Sequence, residues 1–148
     1  MKKLLSLLFV SSLFLTGCAT TAMESQEKSD QAKQFAIPPK GQSGLYIYRD
    51  SVFGSALKKN LYIDDKFIGQ SAPKVFFYKV VPSGEHKIST ESEFGNNDLT
   101  LKTDSGKNYF IRQYIKIGVF IGGANLEQVS EEKGKEAISK LKMAKEQQ

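Results

Sequence analysis

One cysteine, one histidine and no tryptophan occur among the 148 residues. This scarcity removes whole classes of chemistry. A single thiol forms no disulfide within the chain, so a domain exported to an oxidising compartment has to stand on its apolar core. One histidine and one cysteine build neither a histidine-rich metal centre nor a cysteine–histidine nucleophile, and no metal, cofactor or catalytic residue is expected. Lys and Arg number 21 against 16 acids but form no block, which excludes a nucleic-acid stripe and a polybasic patch. Long apolar runs are also missing. Leu4 to Leu15, twelve uncharged residues, would reach only about 18 Å as a helix against a hydrocarbon core of roughly 30 Å, too short for an ordinary membrane anchor.

What is there begins with an address. Lys2 and Lys3 followed by that run have the layout of a signal peptide. The run ends in Leu15-Thr16-Gly17-Cys18, which resembles the lipobox at which bacterial lipoprotein signal peptidase cuts. Small Thr16 and Gly17 suit a narrow protease site, and the Cys18 thiol supplies the sulfur that accepts a diacylglyceryl group. The other reading is a plain secretory signal cut near Ala19 or Ala22. The lipobox reading makes residues 1–17 a leader, Cys18 the lipidation site and the membrane the first partner, held by two or three acyl chains at about 0.8 kcal/mol per buried methylene. By resemblance to Gram-negative lipoproteins, Ala19 in place of Asp implies the periplasmic face of the outer membrane.

Removing 17 residues from 148 leaves 131, one domain of common size, and removing Lys2 and Lys3 lowers the charge from +5 to +3. Residues 18–40 are poor in large apolar side chains and read as a flexible tether closed by Pro38-Pro39. Residues 41–148 form the domain. Short alternating runs broken by Gly, Pro, Asn and Asp predict strands over 45–50, 60–64, 66–69, 74–80, 85–91, 97–103 and 108–117, with another around Phe120. Asp64-Asp65, Pro82-Ser83-Gly84, Gly95-Asn96-Asn97 and Asp104-Ser105-Gly106 are the turns. Ser130 as N-cap, Glu131 and Glu132 behind it, and Ala137, Ile138, Leu141 and Ala144 at helical spacing predict a terminal amphipathic helix. The fold class is mainly β: a small antiparallel β-sandwich with a C-terminal helix.

Tyr46-Ile47-Tyr48-Arg49, Tyr62 to Gly69 and Val81 to Ile88 resemble a bacterial lipoprotein family catalogued as domain of unknown function 2846. The resemblance runs from about Gly41 to Leu141 and implies a lipid-anchored β-sandwich with no assigned activity. The middle is also similar to PEGA-type surface-layer modules, with Asp65 in place of the usual turn Gly and Ser83 set between Pro82 and Gly84.

Several residues invite a functional reading. Tyr46, Tyr48 and Tyr62 alternate with Leu45, Ile47, Leu61 and Ile63, so they either form an aromatic platform for sugar or peptide or make a second core layer under the helix. His86 shares a strand face with Ile88 and reads as a packed or turn-bonding side chain. Asp64-Asp65 lacks the longer ligand loop that calcium needs and reads as a hairpin turn. Glu91, Glu93 and Asp98 lie around one turn and read either as solvated acids or as a functional carboxylate pair, and an envelope-acting hydrolase would be built from carboxylates such as Glu91 and Asp98. Gly118 to Gly123 lacks the Lys-Ser/Thr of a phosphate loop and is either a glycine bend or an apolar tip for a partner or membrane. The function expected is a non-enzymatic binding or envelope-structural module, with an envelope protein or a glycan as partner and no nucleic acid.

Overall fold

Leu45-Tyr46-Ile47-Tyr48 is apolar at every position rather than at alternate ones, the mark of a strand covered on both faces. In the computed structural model, which describes residues 20–147, these four residues are the buried middle of β1 (Gln42–Arg49). Antiparallel β4 (Val75–Pro82) lies on one side of it, with Leu45 opposite Lys79. On the other side, β7 (Asn108–Lys116) runs parallel, with Leu45 opposite Tyr109. β8 (Gly123–Val129) and β9 (Lys142–Met143) complete a five-stranded sheet of order β8-β7-β1-β4-β9. A second sheet has the order β3-β2-β5-β6, from β2 (Lys59–Ile63), β3 (Lys66–Ser71), β5 (Gly84–Glu91) and β6 (Asn96–Thr103).

Two apolar layers follow from the two faces of β1. Leu45 and Ile47 point between the sheets, where Leu61, Ile88, Ile111 and Phe77 join them. Tyr46 and Tyr48 point outward and are roofed by α1 (Gln26–Ala32) and α2 (Glu131–Ser139), with Phe76, Phe110, Ile138 and Leu141 around them. The chain is therefore a β-sandwich with helices on one outer face. β1 and β7 run the same way and β4 the opposite, so connections 50–58, 72–74, 92–95 and 117–122 gather at one end of the sandwich. The turns at 64–65, 83 and 104–107 lie at the other.

The seven runs between Leu45 and Ile117 are strands within a few residues of their expected bounds. Three expectations need correction. Of the tether over 18–40, the described part from Thr20 is docked on the domain: Ser25 caps α1, Ser29 and Ala32 are buried, and Met23 bridges to Ala144. Backbone bonds hold it there, Glu24 N to Met143 O at 3.0 Å and Lys145 N to Ala22 O at 2.8 Å, and these need no large apolar residue. The run around Phe120 is a hairpin tip, and the strand begins after it at Gly123. The terminal helix stops at Ser139. Leu141 follows its C-cap Lys140, and Ala144 enters the core between the sheets. The leader and Cys18 lie outside the described residues.

Gly134 seats α2. A Cβ there would overlap the Cβ, Cγ and Cδ1 of Phe110, so the helix can lie on β7 only because that atom is missing. Gly134→Ala should therefore lower stability by about 1 to 3 kcal/mol through overpacking, although Ala gains roughly 1 kcal/mol of helix propensity. Leu141, only 2% exposed, should cost about 2 to 5 kcal/mol as Leu141→Ala. Denaturant titration reads both. A midpoint raised by Gly134→Ala would contradict the seat of α2 on Phe110, and one unmoved by Leu141→Ala would contradict the burial of Leu141 after the helix.

Candidate functional site

The tyrosine alternation places Tyr46 and Tyr48 on the outward face of β1, but Tyr62 is on β2 in the other sheet. The three form no common platform. Tyr46 is 1% exposed and stacked between Tyr78 and Phe110 at centroid distances of 4.4 and 5.1 Å. Its hydroxyl donates to Ala32 O at 2.8 Å, tying α1 to β1, and burial pushes its pKa well up. Tyr62 is half-buried, edge-on to Phe67 at 5.7 Å.

Tyr48 opens on the larger of two cavities this face carries, the other, of about 290 Å³, lying beside Tyr46 and Tyr78. A cleft of about 680 Å³ runs between α2 and the outer face of the five-stranded sheet, with Tyr48, Asp50, Arg112 and Glu127 along the sheet side and Lys133 and Lys140 on the helix side. Arg112 donates through Nε to Asp50 Oδ1 at 2.9 Å and through an Nη to Glu127 Oε1 at 3.1 Å. Lys140 pairs with Glu136 at 2.9 Å. Burial, together with the nearby Asp50 carboxylate, raises the Tyr48 pKa to about 12, so its hydroxyl stays a neutral donor at any physiological pH. Arg112 is thus committed to two acids, whereas Lys133 has no ion pair among the described residues. This geometry, with charged sides and a phenol beneath, suits a polar ligand carrying an anionic group. Sequence reasoning missed the cleft because Arg112, Glu127 and Lys133 meet only through the pairing of β7 with β8 and the return of α2.

The acids nominated for hydrolysis do not converge. Glu91 Oε2 accepts from Asn60 N at 3.2 Å, joining β5 to β2, while Asp98 is exposed on β6. Glu93 accepts from the backbone N–H groups of Val119 at 2.7 Å, of Ile121 at 3.2 Å and of Phe120. These amides, Phe120 first, hold its carboxyl below the usual range. Among the described residues no group of three or more His, Cys, Asp or Glu is gathered.

His86 sits in a structural bond. Its Nδ1 faces Asp64 Oδ2 at 2.7 Å and its Nε2 faces Pro82 O at 2.7 Å. Both partners are acceptors, so only the imidazolium satisfies both ring nitrogens. Asp64 and Asp65 have φ of 50° and 64°, as a two-residue hairpin turn needs. Asp64 also accepts from Lys87 N at 2.9 Å, so one carboxylate ties the β2–β3 turn to β5.

A β-sandwich roofed by helices on one face, with Asp64, Glu91 and Glu93 accepting from backbone amides, is the class these observations define. The family model described as "Protein of unknown function (DUF2846)" matches residues 39–124, more than half of the chain, and the chain belongs to that family. The match spans β1 through the start of β8 and leaves both helices outside. A protein of Haemophilus influenzae described as uncharacterized is 73% identical over 133 residues, covering 90% of this chain and 79% of its own length. No solved structure matches.

The His86–Asp64 pair sets a pH window. Burial opposes the His86 charge, but Pro82 O and Asp64 outweigh it and raise the pKa above 6.5. A raised pKa gives stability that is complete below the unfolded value and lost as pH climbs through the folded one. Burial also works against the Asp64 charge, yet His86 and the Lys87 amide lower its pKa below 3.8, so its contribution is lost only as pH falls through that depressed value. Urea midpoints measured from about pH 5 to about pH 8 should fall across the range, and fall less in Asp64→Asn. Equal slopes in both proteins would mean that the pair is not coupled.

Proposed function

We propose that this chain is a membrane-anchored lipoprotein of the bacterial envelope, cut before Cys18, lipidated there and held at the periplasmic face of the outer membrane. Its sandwich serves as a non-enzymatic binding or structural module. The observation that carries the reading is Leu15-Thr16-Gly17-Cys18 at the end of an apolar run, holding the only cysteine of the sequence. Support for a binding role comes from the cleft under α2, where Lys133 and Lys140 oppose Arg112 across about 680 Å³. Support for a non-enzymatic one comes from Glu91, Glu93 and His86, each bonded to backbone. The ligand class is an envelope protein segment or glycan with an acidic group, met by lysines and by the Tyr48 hydroxyl.

Cys18→Ala should abolish fatty-acid labelling and move the protein out of the membrane fraction. An acyl label that persists on the variant overturns the anchor. Crosslinking of the lipidated protein in envelopes should capture one component, with the yield cut severalfold by Lys133→Glu together with Lys140→Glu. An unchanged yield removes the cleft from the reading.

A further inference from the structure

The exposed apolar side chains of this protein are not scattered. Among the described residues, eleven large hydrophobics are exposed, and seven of them lie on connections at one end of the sandwich. The β7–β8 tip supplies Ile117, Val119, Phe120 and Ile121, exposed by 87, 77, 83 and 53%. Phe94, 75% exposed, meets Phe120 edge to face at 6.5 Å, and Val52 and Phe53 stand on the β1–β2 connection. That connection abuts the hairpin, since a Cβ on Gly122 would lie 2.6 Å from Leu57 Cδ1.

The shape is built rather than frayed. Glu93 gathers the N–H groups of Val119, Phe120 and Ile121, so the polar backbone of the tip turns inward and its apolar side chains are left outside. Arg49, fully buried, reaches across the same end and donates to Leu57 O and Gly54 O at 2.7 Å and to Phe53 O at 3.2 Å, which fixes the second loop. Acids here are occupied: Asp50 by Arg112, Glu91 by Asn60 N, Glu93 by the tip. Lys58, Lys74, Lys116 and Lys142 are exposed around it.

The beginning of the described chain says what this end faces. Thr20 and Thr21 line a shallow cavity together with Ala72, Pro73 and Lys74 of the β3–β4 connection, on the flank of the same end. Cys18 is two residues before Thr20, and extended chain advances at most about 3.6 Å per residue, so the two are at most about 7 Å apart. An acyl group on Cys18 would hold this end against the bilayer with no slack for the domain to swing away.

We propose that the end of the sandwich formed by the β7–β8 tip, Phe94 and the β1–β2 loop is a membrane-contact surface that enters the headgroup region of the bilayer anchoring the chain. The proposal rests on the lipoprotein reading. Aromatic and aliphatic side chains ringed by lysines suit that layer: the rings reach the acyl boundary while the ammonium groups stay among anionic headgroups.

The test uses the full-length lipidated protein in vesicles of phosphatidylethanolamine and phosphatidylglycerol. With the Cys18 sulfur bound to lipid, Phe120→Cys or Val52→Cys supplies the only free thiol for an environment-sensitive dye. Ile37→Cys, exposed beside Gly106 in the β6–β7 turn at the opposite end, is the control. A nitroxide on the upper acyl chain of the lipid should remove most of the emission at 120 and 52 and little at 37. Unquenched dye at all three, on protein whose Cys18 is acylated, overturns the membrane surface and leaves the anchor standing. Dye at 120 shielded from aqueous iodide yet untouched by the nitroxide points to a second copy and overturns it too. Dye on Cys18 itself defeats the anchor, and this proposal with it.

Discussion

Everything in this domain hangs on β1 being covered on both faces. Leu45 and Ile47 need the second sheet, Tyr46 and Tyr48 need the helices, and both strand edges need partners. Gly44 marks how tight the arrangement is, since a Cβ there would run into Asn108 Oδ1. Asn108 in turn donates to Phe35 O and Ala36 O at 3.2 and 3.1 Å, which leads the segment after α1 into β1. A strand buried in this way makes the outer helices structural, because without them a row of aromatic side chains would face water.

The polar interior does a different task. Gln113, fully buried on β7, receives the Ser71 hydroxyl from β3 and donates to Thr90 Oγ1 on β5 at 2.7 Å. Three strands from two sheets meet at one amide. Apolar contacts between the sheets tolerate sliding, whereas this link is satisfied in one register only, since slippage strands buried polar groups at about 1 to 3 kcal/mol each. Arg49 is the harsher case: burial lowers its pKa, no carboxylate among the described residues answers it, and carbonyls from one loop take up its charge. Loop and cation hold each other in place.

Much of this was legible from residue order. Strand positions follow from alternation and turn chemistry, which are local, and so did the Asp64-Asp65 hairpin and the backbone-bonded His86. Partnership was not legible. Nothing near Tyr46 or Tyr62 states that they belong to different sheets, because pairing is settled by chain many residues away. α1 escaped notice because Ser29 and Ala32, its buried residues, are small and leave no apolar stripe. β8 buries only Gly123, Ala124 and Leu126, while the louder Val119-Phe120-Ile121 beside it is exposed. Hydrophobicity in the sequence located apolar surface correctly but not which side of the fold it would occupy.

The parallel contact between β1 and β7 also governs the order of assembly. β1 meets β4 once the β2–β3 hairpin has been made, but its other edge pairs with residues 108–112, which enter the chain only after all four strands of the second sheet. Until then an apolar, β-prone segment, Leu45 to Tyr48, carries an open row of backbone donors and acceptors. Closing it late makes folding slow for a domain of this size and leaves a long interval in which two nascent copies can pair through that edge. The two-faced burial that secures the finished sheet is thus also its exposure to aggregation during folding.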